Sequence, residues 1–114
     1  MNQNNYKKTS YNQPFIEQRA DPYVYKHTDG MYYFTASVPE YDKIVMRGAK
    51  TIKELREAKE HTLWRKHKEG PQSIHIWAPE VHYLYGEWYI YYAAGDAADV
   101  WEIRPYVLHC KGQN

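Results

Sequence analysis

The chain has 114 residues, and its 15 basic and 14 acidic side chains leave a net charge of +1. This near-neutral charge excludes the basic surface that nucleic-acid binding proteins use against phosphates. A single cysteine, Cys110, excludes an internal disulfide and a cysteine-based zinc site, and no apolar run is long enough for a transmembrane helix. The aromatic fraction of 17%, with 13 Tyr and four Trp, favours strands, because aromatic side chains pack well across a pleated sheet.

The first half of the chain predicts a four-stranded unit after a polar lead-in at residues 1–18, which is rich in Asn and Gln. Asp29-Gly30 is typical of a tight hairpin turn between the first two strands. Thr51, with Glu54 three residues later, predicts a short helix that begins with a capping box. The predicted strands are Ala20–Tyr25, Met31–Ser37, Ile44–Arg47 and His61–Trp64.

The second half predicts three further strands. Gly86 marks the turn between the first two of them, and the small residues of Gly95–Asp99 indicate a loop before the third. Compared with the first half, an outer strand is missing. The predicted strands are Trp77–Tyr83, Trp88–Ala93 and Pro105–Lys111.

The two halves repeat one pattern. Gly30 and Gly86, each in a predicted hairpin turn before an aromatic-rich strand, are 56 residues apart. A sheet-sized unit that recurs at such a period is typical of a β-propeller. Only about two units fit in 114 residues, so we expect an all-β chain that forms the opening part of a larger propeller.

Asp21 and Trp77 occupy comparable places, near the start of the first strand of each half. In a propeller these strands line a central funnel, where a carboxylate can activate water and an indole can stack on a sugar ring. An Asp-Pro turn cap and a core Trp are the alternatives. Glu80 can bind a hydroxyl group or pair with a basic neighbour. His75 and His82 give only a weak metal signal.

Five motifs follow one another in a fixed order between about residues 14 and 110. Together they resemble family 43 glycoside hydrolases, and within that family exo-acting α-L-arabinofuranosidases. The motifs are Arg19-Ala20-Asp21-Pro22-Tyr23-Val24, the Gly-x-Tyr-Tyr-Phe-Thr-Ala-Ser strand from Gly30, Val38-Pro39-Glu40-Tyr41-Asp42, Trp64-Arg65-Lys66-His67 and His75-Ile76-Trp77-Ala78-Pro79-Glu80.

The resemblance implies a five-bladed β-propeller with inverting chemistry and three acidic residues in the funnel. Blade one then takes about residues 19–70, and a truncated blade two takes about residues 71–114. At the observed period five blades need about 280 residues. We therefore expect an incomplete propeller that comprises the first two blades.

The resemblance also implies roles for individual residues. Asp21 corresponds to the general base that deprotonates the attacking water, and Trp77 with its neighbours to the wall that holds the terminal sugar. We expect His75, Glu80 and Phe34 to contact the substrate as well. The family's other two acids, including the Glu that protonates the leaving oxygen, match no residue here. We therefore expect the chain alone to lack useful glycosidase activity.

The expected function is the release of terminal α-L-arabinofuranosyl residues from arabinan or arabino-oligosaccharides by a protein of which this is the N-terminal portion. A β-xylosidase, a non-catalytic carbohydrate-binding module and an interaction fragment remain alternatives. No cofactor or metal is expected in this chain, although some relatives hold a cation in the funnel. We expect a pentose-containing oligosaccharide as substrate, neither nucleic acid nor membrane as partner, and self-association through open blade edges. The polar N-terminus predicts a cytoplasmic location.

Overall fold

The computed structural model describes residues 15–110, so most of the predicted lead-in lies outside the described residues. The strands form two antiparallel sheets, in which each strand pairs with its neighbours along the chain. No helical segment in this range has the length and apolar character of a membrane span. The elements are β1 (Ala20–Lys26), β2 (Tyr32–Ser37), β3 (Lys43–Ala49), α1 (Ile52–Leu55), β4 (His61–Arg65), β5 (Pro71–Leu84), β6 (Glu87–Asp96) and β7 (Asp99–Cys110).

The first sheet has the strand order β1-β2-β3-β4, which confirms the four strands predicted for the first half. Its first turn depends on two residues. Gly30 has a φ of +91°, a conformation that residues with a Cβ rarely adopt. The Oδ1 atom of Asp29 accepts a hydrogen bond from the Met31 N–H at 2.8 Å. The Asp-Gly dipeptide therefore closes the hairpin as predicted.

The short helix α1 begins as the capping pattern predicts. The hydroxyl of Thr51 accepts a hydrogen bond from the Glu54 N–H at 3.1 Å. Leu55, at the end of α1, is fully buried in a cluster that includes Phe34 of β2. Tyr33 packs instead into a separate cluster, so the two clusters lie on opposite faces of the first sheet.

The second sheet has the order β5-β6-β7, and its strands are longer than predicted. β6 continues to Asp96 and β7 begins at Asp99. The predicted loop at Gly95–Asp99 is therefore too long, because only Ala97 and Ala98 form the turn. Gly95 pairs with Ile74 of β5, and Ile103 packs directly over its backbone: a Cβ at this position would lie 3.0 Å from the Ile103 Cδ1 atom.

The two sheets pack against each other through a shared apolar core, with β5 next to β1 and β2. Ile44 from the first sheet and Ile76 from the second are fully buried in this core. Trp64 adds an aromatic contact across the interface, with 5.4 Å between its ring and that of Tyr92. Removal of this apolar surface from water holds the sheets together. The other buried members are Val81, Ile90 and Ala94.

An ionic network fixes the start of β1. The Arg19 Nε atom donates to Glu60 Oε2 at 3.1 Å, and a second Arg19 nitrogen donates to the other oxygen of the same carboxylate. Arg47 of β3 donates to Glu60 Oε2 at 3.4 Å. It also donates to the carbonyl oxygens of Leu55 and Arg56 at the end of α1. The network thus ties β1, β3 and α1 together directly beside Asp21.

Candidate active site

Two register shifts lie beside predicted site residues, one in the first strand of each sheet, and β5 has two further shifts before Trp77. The pairing of β1 with β2 shifts register at Asp21-Pro22. The pairing of β5 with β6 shifts at Ala78-Pro79, directly after Trp77. Proline lacks the N–H that a ladder requires, so it is tolerated where the ladder is interrupted. Bulges of this kind redirect side chains and are frequent beside functional sites.

Asp21 is exposed to solvent at the first of these irregularities, with a φ of +51°. This left-handed conformation costs a non-glycine residue about 1–3 kcal/mol, although Asp tolerates it better than most. The Oδ2 atom of Asp21 accepts a hydrogen bond from the Ser37 hydroxyl, with 3.3 Å between the oxygens. The carboxylate is therefore held on one side and open to water on the other, as a general base must be.

Ser37 connects Asp21 to the second sheet. The same hydroxyl oxygen accepts a hydrogen bond from the Ala78 N–H at 2.7 Å. The Ser37 side chain is buried between the two sheets, with only 1% of its surface exposed. Because Ala78 follows Trp77 directly, this hydroxyl brings the Asp21 and Trp77 segments to the same end of the paired sheets.

Trp77, His75 and Tyr41 form an aromatic cluster beside the second irregularity. The rings of His75 and Trp77 lie 4.6 Å apart at 34°, and the Tyr41 ring meets Trp77 edge-on at 5.9 Å. Tyr41 comes from the loop between β2 and β3, and its carbonyl oxygen accepts a hydrogen bond from the Ile76 N–H at 3.0 Å. Half-exposed aromatic rings of this kind have an apolar face that suits the C–H face of a sugar.

Tyr41 and Ser37 are not among the site residues predicted from the sequence. The segment Val38–Asp42 appears there only as one of the family motifs. The position of Tyr41 depends on its φ of +54° and on its hydrogen bond to Ile76, which is distant along the chain. Ser37 is the last residue of the Gly-x-Tyr-Tyr-Phe-Thr-Ala-Ser motif, but the motif alone assigns its hydroxyl no role.

Glu80 lies farther along β5, outside the aromatic cluster. Its Oε1 atom is 3.3 Å from the Nε2 atom of His82. The His82 ring is in turn 5.6 Å from the rings of Tyr23 and Tyr91. Burial, and to a smaller extent the charge of Glu80, raises the pKa of Tyr23. Glu80 therefore belongs to a surface group with His82.

Phe34 is not at this surface, which corrects the expectation that it contacts substrate. It is 1% exposed and packs with Leu55 and Ile16 on the face of the first sheet that points away from β5. Phe15 covers its ring edge-on at 6.5 Å. The strand period explains the difference: Tyr33, Thr35 and Ser37 share one face, so Phe34 must point to the other.

The described residues contain no ready-made metal centre. Among residues 15–110, no group of three or more His, Cys, Asp or Glu side chains is placed to hold an ion. His75 and His82 contact Trp77 and Glu80, respectively.

An open cleft of about 320 Å³ lies next to Ser37. This volume is at the lower end of the roughly 300–1,000 Å³ range of small-molecule sites. A larger depression of about 770 Å³ lies beside α1 and contains none of the predicted site residues, so size alone does not locate the site. The smaller cleft is lined by Gln18, Arg19, Ala20, Ser37, Val38, Pro39 and Tyr41.

Comparison with known proteins gives a consistent set of relatives. Residues 11–114 match the family model described as Glycosyl hydrolases family 43. The chain is 54% identical over 105 residues to an extracellular exo-α-(1→5)-L-arabinofuranosidase of Streptomyces avermitilis. It is 53% identical over 98 residues to a protein of the same name from Streptomyces chartreusis. These matches cover 92% and 86% of this chain but only 22% and 30% of the relatives.

A solved structure supports the same relationship. The crystal structure of an α-L-arabinofuranosidase from Lactobacillus brevis superposes with a TM-score of 0.81 at 50% sequence identity. The match covers 90% of this chain and 34% of that protein. The arrangement of the two sheets is therefore the one found in a longer homologous protein.

The comparisons correct the prediction of a cytoplasmic location. Both Streptomyces relatives are named extracellular, which contradicts it. The prediction rested on the polar first residues of the sequence. Those residues are no guide to export in a chain that spans 22% to 30% of such relatives.

Proposed function

This chain belongs to family 43 of the glycosyl hydrolases, and from that premise we propose that it forms the N-terminal part of an exo-acting α-L-arabinofuranosidase. The substrate class is arabinan or arabino-oligosaccharides with terminal α-L-arabinofuranosyl residues. The names of the two Streptomyces relatives and of the Lactobacillus brevis protein support arabinose over xylose. One observation carries the proposal: the exposed Asp21 carboxylate lies at the same end of the paired sheets as the Trp77 cluster.

In this proposal the two sheets are blades one and two of an incomplete five-bladed propeller. Within residues 15–110, β7 pairs only with β6, and β1, β4 and β5 likewise pair with one strand each, so both sheets have open edges. Open edges invite pairing with other chains. We therefore expect the isolated chain to associate, whereas a sharp monomer peak in size-exclusion chromatography would contradict this.

Asp21 is the general base of the proposed reaction. Its free oxygen takes a proton from a water molecule while that water attacks the anomeric carbon of the terminal sugar. In inverting glycosidases the general acid stands about 6.5–9.5 Å from the base, on the far side of the sugar. We place that acid outside this chain. Trp77 and Tyr41 supply apolar faces for the sugar ring, so they orient the carbon toward the water.

The isolated chain should then be inactive because it lacks the general acid. Without the acid that protonates the leaving oxygen, about 10²–10⁴-fold in rate is lost. The missing opposite wall removes further rate, because positioning of the reacting groups is itself a large term. An assay of the purified chain on an aryl α-L-arabinofuranoside tests this directly. Turnover equal to that of the Lactobacillus brevis relative would contradict it.

A hybrid protein tests the role of Asp21. In it, this chain's matched segment replaces the corresponding segment of the Lactobacillus brevis α-L-arabinofuranosidase, to which it is 50% identical. We expect the hybrid to hydrolyse aryl α-L-arabinofuranosides in preference to aryl β-xylosides. Asp21→Asn should lower kcat by roughly 10²–10⁴-fold, the usual contribution of general acid–base catalysis, with little change in KM. Azide, which attacks without deprotonation, should restore part of the loss.

Asp29→Asn is the matched control for this test. Asp29 is another exposed Asp in the first hairpin, and an amide oxygen can still accept the Met31 N–H. The control should keep the full kcat of the hybrid. Equal activity of the Asp21→Asn and Asp29→Asn hybrids would overturn the assignment of the base.

A further inference from the structure

We propose that Ser37 is a positioning residue of this site, whose hydroxyl keeps the Asp21 carboxylate and the Trp77-Ala78 segment in one fixed relation. The inference rests on the proposed function, in which Asp21 is the base and Trp77 lies against the sugar. It adds a residue that neither the sequence motifs nor the family match singles out. Ser37 touches no substrate in this proposal and acts through its two partners.

The hydrogen-bonding capacity of a serine fixes the direction of the link. A hydroxyl has one proton to donate and lone pairs to accept with. The Ala78 N–H can only donate, so at 2.7 Å it occupies a lone pair of Ser37 Oγ. The serine proton is therefore left for Asp21 Oδ2, 3.3 Å away. This arrangement requires a carboxylate that accepts on Oδ2, which leaves Oδ1 for the attacking water.

The contact between Ser37 and Asp21 is long for a hydroxyl and a carboxylate, which usually approach to about 2.5–2.7 Å. The contact to Ala78 is short, and it anchors the serine to β5. Catalytic hydrogen bonds are often long before substrate binds and shorten in the complex. Ser37 is thus held firmly against β5 by the short bond, and we expect its long bond to Asp21 to shorten when substrate binds.

Both ends of the link have unusual backbone conformations. Asp21 has a φ of +51° and Ala78 a φ of +50°. Ala78 has no side-chain group of its own to stabilise a left-handed conformation. The buried Ser37 hydroxyl joins these two positions, because it is hydrogen-bonded to both Asp21 and Ala78. Ser37 and Ala78 are 41 residues apart along the chain. Loss of this hydroxyl should therefore allow both the Trp77-Ala78 segment and the Asp21 side chain to move.

Thr35 provides a matched contrast on the same strand. It lies two residues before Ser37, is also buried, and its hydroxyl donates to the Val45 carbonyl oxygen at 2.7 Å. That bond stays within the first sheet, between β2 and β3. Thr35→Val thus removes a buried hydroxyl without touching the link between the sheets. Any general cost of losing a buried hydrogen bond appears in both variants.

The test compares Ser37→Ala with Thr35→Val in the hybrid enzyme and in the isolated chain. We expect Ser37→Ala to lower kcat of the hybrid by roughly 10–100-fold, more than it raises KM, because small misplacements of reacting groups are costly. In the isolated chain the Ala78 amide should exchange with deuterium at least about tenfold faster. Thr35→Val should leave kcat and the Ala78 exchange rate within about twofold.

Circular dichroism establishes that each variant is folded. If Ser37→Ala is not, Ser37→Cys takes its place, since a thiol fills the site but is a weak donor and acceptor. A kcat within twofold of the unmodified hybrid, or an unchanged Ala78 exchange rate, would overturn the proposal. A hybrid that hydrolyses no arabinofuranoside would instead contradict the proposed function. The Ala78 exchange rates alone then decide whether Ser37 makes the link.

Discussion

The ring of Tyr41 meets the ring of Trp77 edge-on, with 5.9 Å between centroids and an interplanar angle of 83°. Tyr41 lies in the loop between β2 and β3 of the first sheet, whereas Trp77 lies in β5 of the second, and the Ile76 N–H of β5 donates a hydrogen bond to the Tyr41 carbonyl oxygen. Edge-to-face pairs of this kind are worth about 0.5–1.5 kcal/mol beyond the area that they bury. Tyr41 therefore holds the orientation of the indole that we assign to sugar binding.

Tyr41→Ala should weaken substrate binding in the hybrid enzyme. Without the edge-on contact the indole must be ordered when the sugar binds, which costs at most the pair's about 0.5–1.5 kcal/mol and raises KM by up to roughly 2–12-fold, with a smaller effect on kcat. Steady-state kinetics on an aryl α-L-arabinofuranoside give both constants. The control is Tyr85→Ala, because Tyr85 is fully exposed at the β5–β6 turn. An unchanged KM for Tyr41→Ala would contradict this role.

Glu60→Gln should destabilise the isolated chain. Its carboxylate joins Arg19 and Arg47, and its side chain is only 20% exposed. The substitution leaves two arginines poorly paired, which should lower the free energy of unfolding by about 1–3 kcal/mol at pH 7. Urea denaturation measures this value. Glu102→Gln is the control, since Glu102 pairs with Arg104 at a much more exposed site and should cost less than about 1 kcal/mol.

The stability lost in Glu60→Gln should depend on pH. Burial alone raises the pKa of Glu60, but the hydrogen bonds and charges of Arg19 and Arg47 outweigh it and hold that pKa below its usual value of 4.5. A lowered folded-state pKa adds stability that is complete above the unfolded pKa and is lost as pH falls through the folded one. The difference between the two proteins should therefore shrink below about pH 4.5. A constant difference from pH 7 to pH 3 would contradict this.

Tyr92 should control stability at alkaline pH. Burial, with a smaller effect from Tyr106, raises the pKa of Tyr92 from 10 to about 12, and its hydroxyl donates to Gln72. A raised folded-state pKa means that its contribution is complete below pH 10 and is lost as pH rises toward 12. Tyr92→Phe should cost about 1 kcal/mol at pH 7 and lose less stability between pH 10 and 12.

Absorbance at 295 nm, which reports tyrosinate, checks the Tyr92 prediction together with denaturation at each pH. The difference spectrum between the wild type and Tyr92→Phe should titrate near pH 12. A Tyr92 difference spectrum that titrates near pH 10 would contradict the burial argument.

Ile76→Ala should weaken the packing between the two sheets and so lower the stability of the chain. Ile76 is fully buried in the core that both sheets share, so its truncation should cost about 2–5 kcal/mol. Ile52→Ala, at a residue that is 47% exposed on α1, should change stability by less than about 0.5 kcal/mol. Thermal unfolding followed by circular dichroism measures both. Equal melting temperatures for the two variants would show that the sheets do not depend on this core.

The elements that the sequence predicts well are those fixed by neighbours along the chain. Asp29-Gly30 closes its hairpin and Thr51 caps its helix through contacts that span two or three residues. The errors arise where distant residues decide. Gly95 is in a strand because it pairs with the distant Ile74, and Ile103 occupies the space that a Cβ at this position would need.

The candidate site follows the same rule. Asp21 and Trp77 can be selected from the motif order, but what joins them is a serine hydroxyl bound to a backbone N–H 41 residues away. No local pattern encodes that contact. Phe34 was selected from the same motif strand, and its burial follows from which face of β2 packs against β5, a choice that only the packed sheets reveal.

The most direct measurement is a crystal structure of the Asp21→Asn hybrid with an unhydrolysed arabino-oligosaccharide. We expect the terminal arabinofuranosyl ring to lie against the Trp77 indole, and a water molecule to lie between its anomeric carbon and the residue 21 amide. A sugar bound away from Trp77, or a residue 21 side chain that faces neither the anomeric carbon nor this water, would contradict it.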